Sequence, residues 1–262
     1  MSIPKRVLVT GASRGIGRAI CLRLAKKGIQ VAACASAHAE ELAVAADEAA
    51  RDGGRVVPLV GDLSDPATPA KLVAQAIAAL GGLDAVVSNA GLARASSLAS
   101  TELGDWEYLL AVNARAPWLL AKAAYPALRE SRGSFVAVAS MAGVQPYPGV
   151  GAYSPSKACL LMTIRVLAQE WAADGIRVNA VSPGLILTPM TANHYTDPAT
   201  KATREKLIPM HRIGDPDNDI AGIVEFLISP DAGYMTGQNI LADGGLLDAI
   251  HGLIPSHRAS KG

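Results

Sequence analysis

Charged side chains are sparse in this 262-residue chain: Asp, Glu, Lys and Arg make up 18% of it, and the formal net charge is +1. Without a basic excess there is no electrostatic footprint for nucleic acid or an anionic membrane, either of which calls for a positive patch. Cysteine is rarer. Cys21, Cys34 and Cys159 are odd in number, widely spaced and lack a C-x-x-C pair. That argues against a disulfide framework or a zinc site, and for buried free thiols in a reducing compartment. The histidines (His38, His194, His211, His251, His257) never fall at metal-ligand spacing, so no metal is expected. Residues 1–6 contain no apolar signal core, which makes a cytoplasmic protein the expectation. The uncharged stretch 133–156 is long enough to cross a bilayer, but its glycines, three prolines and serines fit a buried strand followed by a loop.

What the chain does have is apolar material, 50% of its residues, enough for a large core. Short β-rich runs at residues 7–10, 30–34, 55–60, 84–88, 134–139, 177–181 and 239–241 alternate with helical patterns at 16–27, 40–51, 70–80, 101–129, 152–173 and 219–228. Such alternation predicts a parallel sheet covered on both faces. Right-handed crossovers make it doubly wound. No linker, repeat or low-complexity tract divides residues 1–262, so one α/β domain with a seven-stranded sheet is expected. Two segments depart from the pattern. Residues 187–217 are rich in Pro, Thr, His and charge with only a weak helical pattern, and read as a substrate lid. Residues 247–262 read as a frayed C-terminal tail.

Tyr153 and Lys157 stand four residues apart, hence one turn of helix apart on one face. An ammonium nearby favours the phenolate. A phenol that ordinarily titrates near pH ~10 is thereby drawn toward the range where it exchanges a proton with an alcohol. Ser140, at the carboxyl end of a strand, could hold the substrate oxygen. Ser154, Pro155 and Ser156 read as spacers. Alone the spacing is weak, because Tyr-x-x-x-Lys also arises where a lysine snorkels and a tyrosine packs.

The glycine-rich turn carries more. Thr10-Gly11-Ala12-Ser13-Arg14-Gly15-Ile16-Gly17 lies between the first strand and the first helix. Glycines there permit a tight turn and close approach to a pyrophosphate resting on the helix amino terminus. An acidic residue at the end of the second strand would select NAD(H). The chain instead reads Cys34-Ala35-Ser36-Ala37-His38, with no carboxylate before Glu40. Arg14 and Ser36 could face a 2′-phosphate, so NADP(H) is favoured over NAD(H).

From residue 5 to residue 246 these motifs together resemble the classical short-chain dehydrogenase/reductase family, and within it members of the 3-oxoacyl-(acyl-carrier-protein) reductase kind. Asp62-Leu63 is similar to that family's adenine-contacting pair. Asn89-Ala90-Gly91 resembles its strand-four motif, with Ser88 where an asparagine is common. Asn113 matches its helix-four asparagine, and Ser140, Tyr153 and Lys157 complete its tetrad. Pro183-Gly184-x-Ile186-x-Thr188 resembles the segment that positions the nicotinamide. The resemblance implies a Rossmann fold and a hydride passing between nicotinamide and a small carbonyl or alcohol substrate, with Tyr153 as acid or base. It further implies that Lys157 holds the nicotinamide ribose and favours the tyrosinate, Ser140 polarises the substrate oxygen, and Asn113 holds a relay water. A homotetramer or homodimer paired through 101–129 and 152–173 is implied as well.

Asp84, Glu170, Asp174 and Asp243 read as capping or turn residues, and Trp106, Trp118 and Trp171 as packing. Specificity is expected from loops 92–98, 141–151 and 187–217, with Tyr147, Met190, His194 and Tyr195 as candidate walls. Two other readings stand beside the first: an NADP(H)-binding regulatory protein without catalysis, and an NAD-dependent alcohol or sugar dehydrogenase on the same fold.

Overall fold

The strands carry near-continuous apolar runs, as strands buried on both faces do. In the computed structural model, which describes residues 4–249, β1 (Arg6–Thr10) is followed by α1 (Gly15–Lys26), β2 (Gln30–Ala35), α2 (Ala39–Arg51), β3 (Arg55–Val60), α3 (Thr68–Leu80) and β4 (Ala85–Ser88). The second half runs α4 (Leu103–Leu110), α5 (Ala116–Ser131), β5 (Ser134–Val138), α6 (Tyr153–Trp171), β6 (Arg177–Pro183), α7 (Pro198–Leu207), α8 (Gly222–Ile228) and β7 (Asn239–Ala242). The seven strands pair in the order β3-β2-β1-β4-β5-β6-β7, every pair parallel. Successive strand residues face opposite sides. Val7 and Val9 therefore join Ile20, Leu24, Leu42 and Val224 in one core, while Leu8 joins Leu72, Leu120 and Leu160 in the other. Helices α1, α2 and α8 cover the first face, and α3, α5 and α6 the second. From β1 the chain first builds outward through β2 and β3, then returns to add β4 on the other side. That reversal opens a crevice at the carboxyl ends of the strands, where doubly wound sheets bind ligands.

The helix expected over 101–129 is two helices joined by a wide π-helical turn, Ala111–Arg115. Residues 219–228 likewise begin inside a π-helical turn, Pro216–Ala221. The 187–217 insert is less irregular than its composition suggested, because α7 lies within it. Asp197 caps that helix by accepting from the Ala199 and Thr200 amides at 3.2 and 3.0 Å, and Pro198 occupies the first turn, where its missing N–H costs nothing. No residue of α7 is buried, so it lacks the apolar stripe from which a helix is read.

Cys21 and Cys34 are buried as expected, but Cys159 is exposed on α6. Asp84 is structural: it pairs with Arg6. Asp174 accepts from Tyr125, and Asp243 accepts two turn amides. Trp171 packs against Tyr125 with ring centroids 5.0 Å apart. Among the described residues no helix is long and apolar enough to cross a membrane. Of the tail, residues 250–262 lie outside the described residues.

Candidate active site

A cleft of about 440 Å³ opens at the crevice. One end is the glycine turn, where Gly11, Ser13, Arg14, Gly15 and Ile16 form the wall. Gly11 and Gly15 hold φ of 64° and 56°, which glycine adopts without a Cβ clash. Gly17, expected among the cofactor contacts, lies behind the wall instead. A Cβ there would stand 2.1 Å from the Gly11 carbonyl oxygen, so its bareness lets α1 close onto the turn. The first turn of α1 holds no acidic residue and no side chain caps it. Its free amides and the positive end of its dipole therefore face the cleft, a setting that suits phosphate.

At the end of β2, Ser36 and His38 line the same cleft, as do Asp62 and Leu63 beyond β3. His38 was not anticipated as a wall residue. It holds a left-handed conformation before α2 (φ 61°), and its Nδ1 lies 3.4 Å from Glu41. The residues fit a dinucleotide: unclaimed amides suit its phosphates, and Arg14 and Ser36 stand at the same end of the cleft with no carboxylate at the β2 end.

A hydroxyl at the head of the glycine motif, given no role of its own from the sequence, ties the halves of the site together. Thr10 Oγ1 accepts from the Asn89 and Ala90 amides, each at 3.1 Å. Asn89 Nδ2 in turn donates to the Thr10 and Gly11 carbonyls, each at 3.0 Å. Gly91 then passes over Lys157, and a Cβ there would meet Nζ at 3.1 Å.

Ser140 follows β5, and its Oγ accepts from the Ala142 amide at 3.1 Å. Tyr153 opens α6 and Lys157 follows one turn later; both line the cleft with Ser140. The buried Lys157 ammonium donates to the Val138 carbonyl at 3.0 Å and lies 5.9 Å from the Tyr153 ring centroid. Burial pushes the Tyr153 phenol above its ordinary value, with the Ser140 hydroxyl opposing. Burial also pulls Lys157 down to about 8. Burial thus acts on the phenol against the downward pull expected from the lysine.

Asn113 sits in the π-helical turn, fully buried and just behind the cleft. Its Oδ1 accepts from the Leu92 amide at 3.0 Å. Its Nδ2 donates to the Leu92 carbonyl at 2.9 Å and to Ser156 Oγ at 3.0 Å, which uses both amide hydrogens. Ser156 Oγ donates onward to the Tyr153 carbonyl at 2.7 Å. Ser156, read as a spacer, is instead the link between Asn113 and the first turn of α6. Its place three residues after Tyr153, on the same helix face, was the available signal. A second clamp joins the loops after β4 and β5. The Ser96 amide donates to Gly149 at 3.1 Å, the Gly151 amide to Ser96 at 2.8 Å, and the Tyr153 amide to Val150 at 3.1 Å.

Across the cleft, Pro183, Gly184, Ile186 and Thr188 form the opposite wall. Of the candidate substrate walls, Met190 lines the cleft, whereas Tyr147, His194 and Tyr195 do not. Arg204 stacks over the Tyr195 ring at 5.4 Å, outside the site. Leu92, Tyr108 and Val112 complete the cleft and were not anticipated individually. No group of three or more metal-ligating side chains occurs among the described residues.

The chain is similar in sequence and fold to known proteins. Residues 11–247 match the family model described as enoyl-(acyl carrier protein) reductase. The chain is 38% identical over 244 residues to a glucose 1-dehydrogenase of Gluconobacter oxydans, covering 92% of this chain and 91% of that one. A solved structure from Sinorhizobium meliloti, provisionally described as a short-chain alcohol dehydrogenase, superposes with a TM-score of 0.89 at 37% identity, covering 95% of this chain and 98% of that one. Another, from Beutenbergia cavernae, is provisionally described as an NAD(P)-dependent gluconate 5-dehydrogenase and carries NADP at low occupancy. It superposes with a TM-score of 0.88 at 35% identity, covering 94% and 98% of the two chains.

Proposed function

The chain belongs to the classical short-chain dehydrogenase/reductase family and is an oxidoreductase acting on CH–OH donors; from that premise we propose that it transfers a hydride between NADP(H) and a carbonyl or secondary-alcohol substrate, with Tyr153 as general acid or base. The observation that carries this reading is that Ser140, Tyr153 and Lys157 open onto the same cleft as the glycine turn. When bound, the nicotinamide supplies or takes up the hydride. Tyr153 gives its proton to the substrate oxygen in reduction and takes one back in oxidation. Ser140 donates to that oxygen and orients it, while Lys157 holds the ribose. Asn113 acts from behind the wall by fixing the Leu92 loop and the first turn of α6.

At the other end, Gly11, Ser13, Gly15 and Ile16 cradle the pyrophosphate, with Gly17 allowing the turn to close. Asp62 and Leu63 meet the adenine, Asn89, Ala90 and Gly91 the adjoining ribose and linker, and Pro183, Gly184, Ile186 and Thr188 the nicotinamide. Arg14 and Ser36 recognise the 2′-phosphate, which is the basis for choosing NADP(H) over NAD(H). The insert 187–217 serves as a lid over the substrate. Half-exposed Trp118, Met162 and Val166 on the outer faces of α5 and α6 support pairing of copies into a homodimer or homotetramer. Three free thiols suit a reducing, cytoplasmic setting.

The test is fluorescence titration with NADPH and NADH, followed by NADPH oxidation against a panel of ketones. Binding of NADPH at least ~10-fold tighter than NADH is expected from a charge-assisted phosphate contact. Tighter NADH binding would reverse the cofactor choice, and NADPH binding without turnover of any ketone would return the protein to a sensing role.

A further inference from the structure

The substrate end of the cleft has an uneven chemistry. Beyond Ser140 and Tyr153 it is closed by Leu92, Tyr108, Val112 and Met190. Among the described residues, the charged or basic side chains lining the cleft are Arg14, His38, Asp62 and Lys157. The first three belong to the glycine turn and to the ends of β2 and β3. Lys157 turns its ammonium to the Val138 carbonyl. On the substrate side the guanidinium of Arg94 is paired with Asp105 and stacks over the ring of Tyr108, 5.1 Å from its centroid. That contact stiffens an apolar wall and leaves no free charge beside it.

Of the other hydroxyls there, those of Thr188 and Thr191 are already engaged, and that of Tyr108 stands at the edge of its ring. Thr191 Oγ1 donates to the Ile186 carbonyl at 2.6 Å and lies 3.1 Å from Thr188 Oγ1. The Asn113 carboxamide is committed to Leu92 and Ser156. Apart from the Tyr108 hydroxyl, one polar spot thus faces a wall of aliphatic, thioether and aromatic surface.

Resting on the hydride-transfer reading above, we propose that this wall selects uncharged ketones with an apolar body, and the matching secondary alcohols, against polyhydroxylated or carboxylate-bearing carbonyl compounds. A single carbonyl oxygen finds its donors at Ser140 and Tyr153, and the rest of such a molecule leaves water for apolar surface. Further hydroxyls on a sugar would be desolvated without partners. A carboxylate would be buried with no compensating charge.

Three probes separate the cases: 4-methylcyclohexanone, 4-oxocyclohexanecarboxylate and fructose, each assayed with NADPH and with kcat/KM referred to the concentration of the free keto form, a minor species of fructose in water. The kcat/KM for 4-methylcyclohexanone should exceed that for either other compound by at least ~100-fold, the scale on which an apolar pocket discriminates against added polar groups. Met190→Arg, a change at a half-exposed wall position, should raise kcat/KM for the carboxylate about 10-fold and leave fructose unaffected. Quenching of bound-NADPH fluorescence by each compound reports binding apart from turnover and should follow the same order. Equal or better use of the carboxylate or of fructose overturns the selectivity while hydride transfer stands. A Met190→Arg variant with an unchanged carboxylate preference also overturns it, since the wall would then not be where the substrate sits. NADPH binding with no turnover of any probe removes the hydride-transfer reading itself.

Discussion

The proton-transfer group and the insert across the cleft from it are held in opposite ways. Lys157, Asn113 and Ser156 are buried, and they bond to one another or to the main chain of Leu92, Val138 and Tyr153. The insert is held by its base and its own capping. A short parallel bridge pairs Ile186 with Gly214, Arg212 pairs with Asp219 at 2.6 Å, and α7 contributes no buried residue. Few buried contacts mean a low cost of local opening. The proton-transfer geometry is rooted in the core, whereas the proposed lid rests on few buried side chains, Ile208 among them.

The sharpest way to break this contrast is Tyr153→Phe, which removes the transferable proton and keeps the ring. Loss of kcat by about 10²–10⁴-fold is expected, the usual contribution of a positioned acid, with the NADPH dissociation constant within about threefold of the original. Unchanged kcat would remove Tyr153 from the chemistry. Asn113→Ala comes next. It strands the Leu92 amide and carbonyl and the Ser156 hydroxyl, and should cost roughly 2–4 kcal/mol of stability, since each orphaned buried group carries a penalty. Thermal melting checks the stability, and a parallel fall in kcat checks that the Leu92 loop and α6 are positioned through this side chain.

Lys157→Met is expected to do the reverse for stability while abolishing turnover. The lysine's value is lowered from 10.5 to about 8 in the folded protein, so below about pH 8 the native state carries a buried ammonium that the unfolded chain holds in water. The variant should therefore melt roughly 2–6 °C higher at pH 7. That gain should shrink as pH rises through 8 and vanish near 10.5, where both states are neutral. A variant that melts lower at pH 7, or a gain that grows with pH, would show that burial does not oppose the charge. The smallest effect belongs to the insert. Asp197→Ala removes a helix cap worth about 1 kcal/mol. It should speed amide exchange in α7 alone and leave the global Tm unchanged; a falling Tm would show the insert to be part of the core.

Much of this architecture was legible from the chain. Buried strands announce themselves as short β-branched runs, and a glycine turn after the first of them fixes which end of the sheet holds a site. Tyr153, Lys157 and Ser140 stood out because their chemistry depends on residue type and spacing, and the structure brings them to one cleft. The parts that stayed hidden have other causes. The acceptor for Lys157 is the main-chain carbonyl of Val138, which every residue carries, so sequence cannot single it out. Ser156 and Thr10 act through ordinary hydroxyls whose partners lie 43 and 79 positions away. Helix α7 has no apolar face to betray it. Spacing reveals the ammonium near Tyr153 but not the loss of water around both groups, and burial raises the phenol.

The state of that phenol is the most direct point of decision. Phenolate absorbance titrated in the wild-type protein, minus the same titration of Tyr153→Phe, isolates the one group. With burial dominant, no phenolate signal from Tyr153 should appear below pH 10, the ordinary value from which it is raised. A phenolate signal emerging between about pH 6 and 8 would mean that the lysine governs after all, and would contradict a tyrosine held ready as the proton donor.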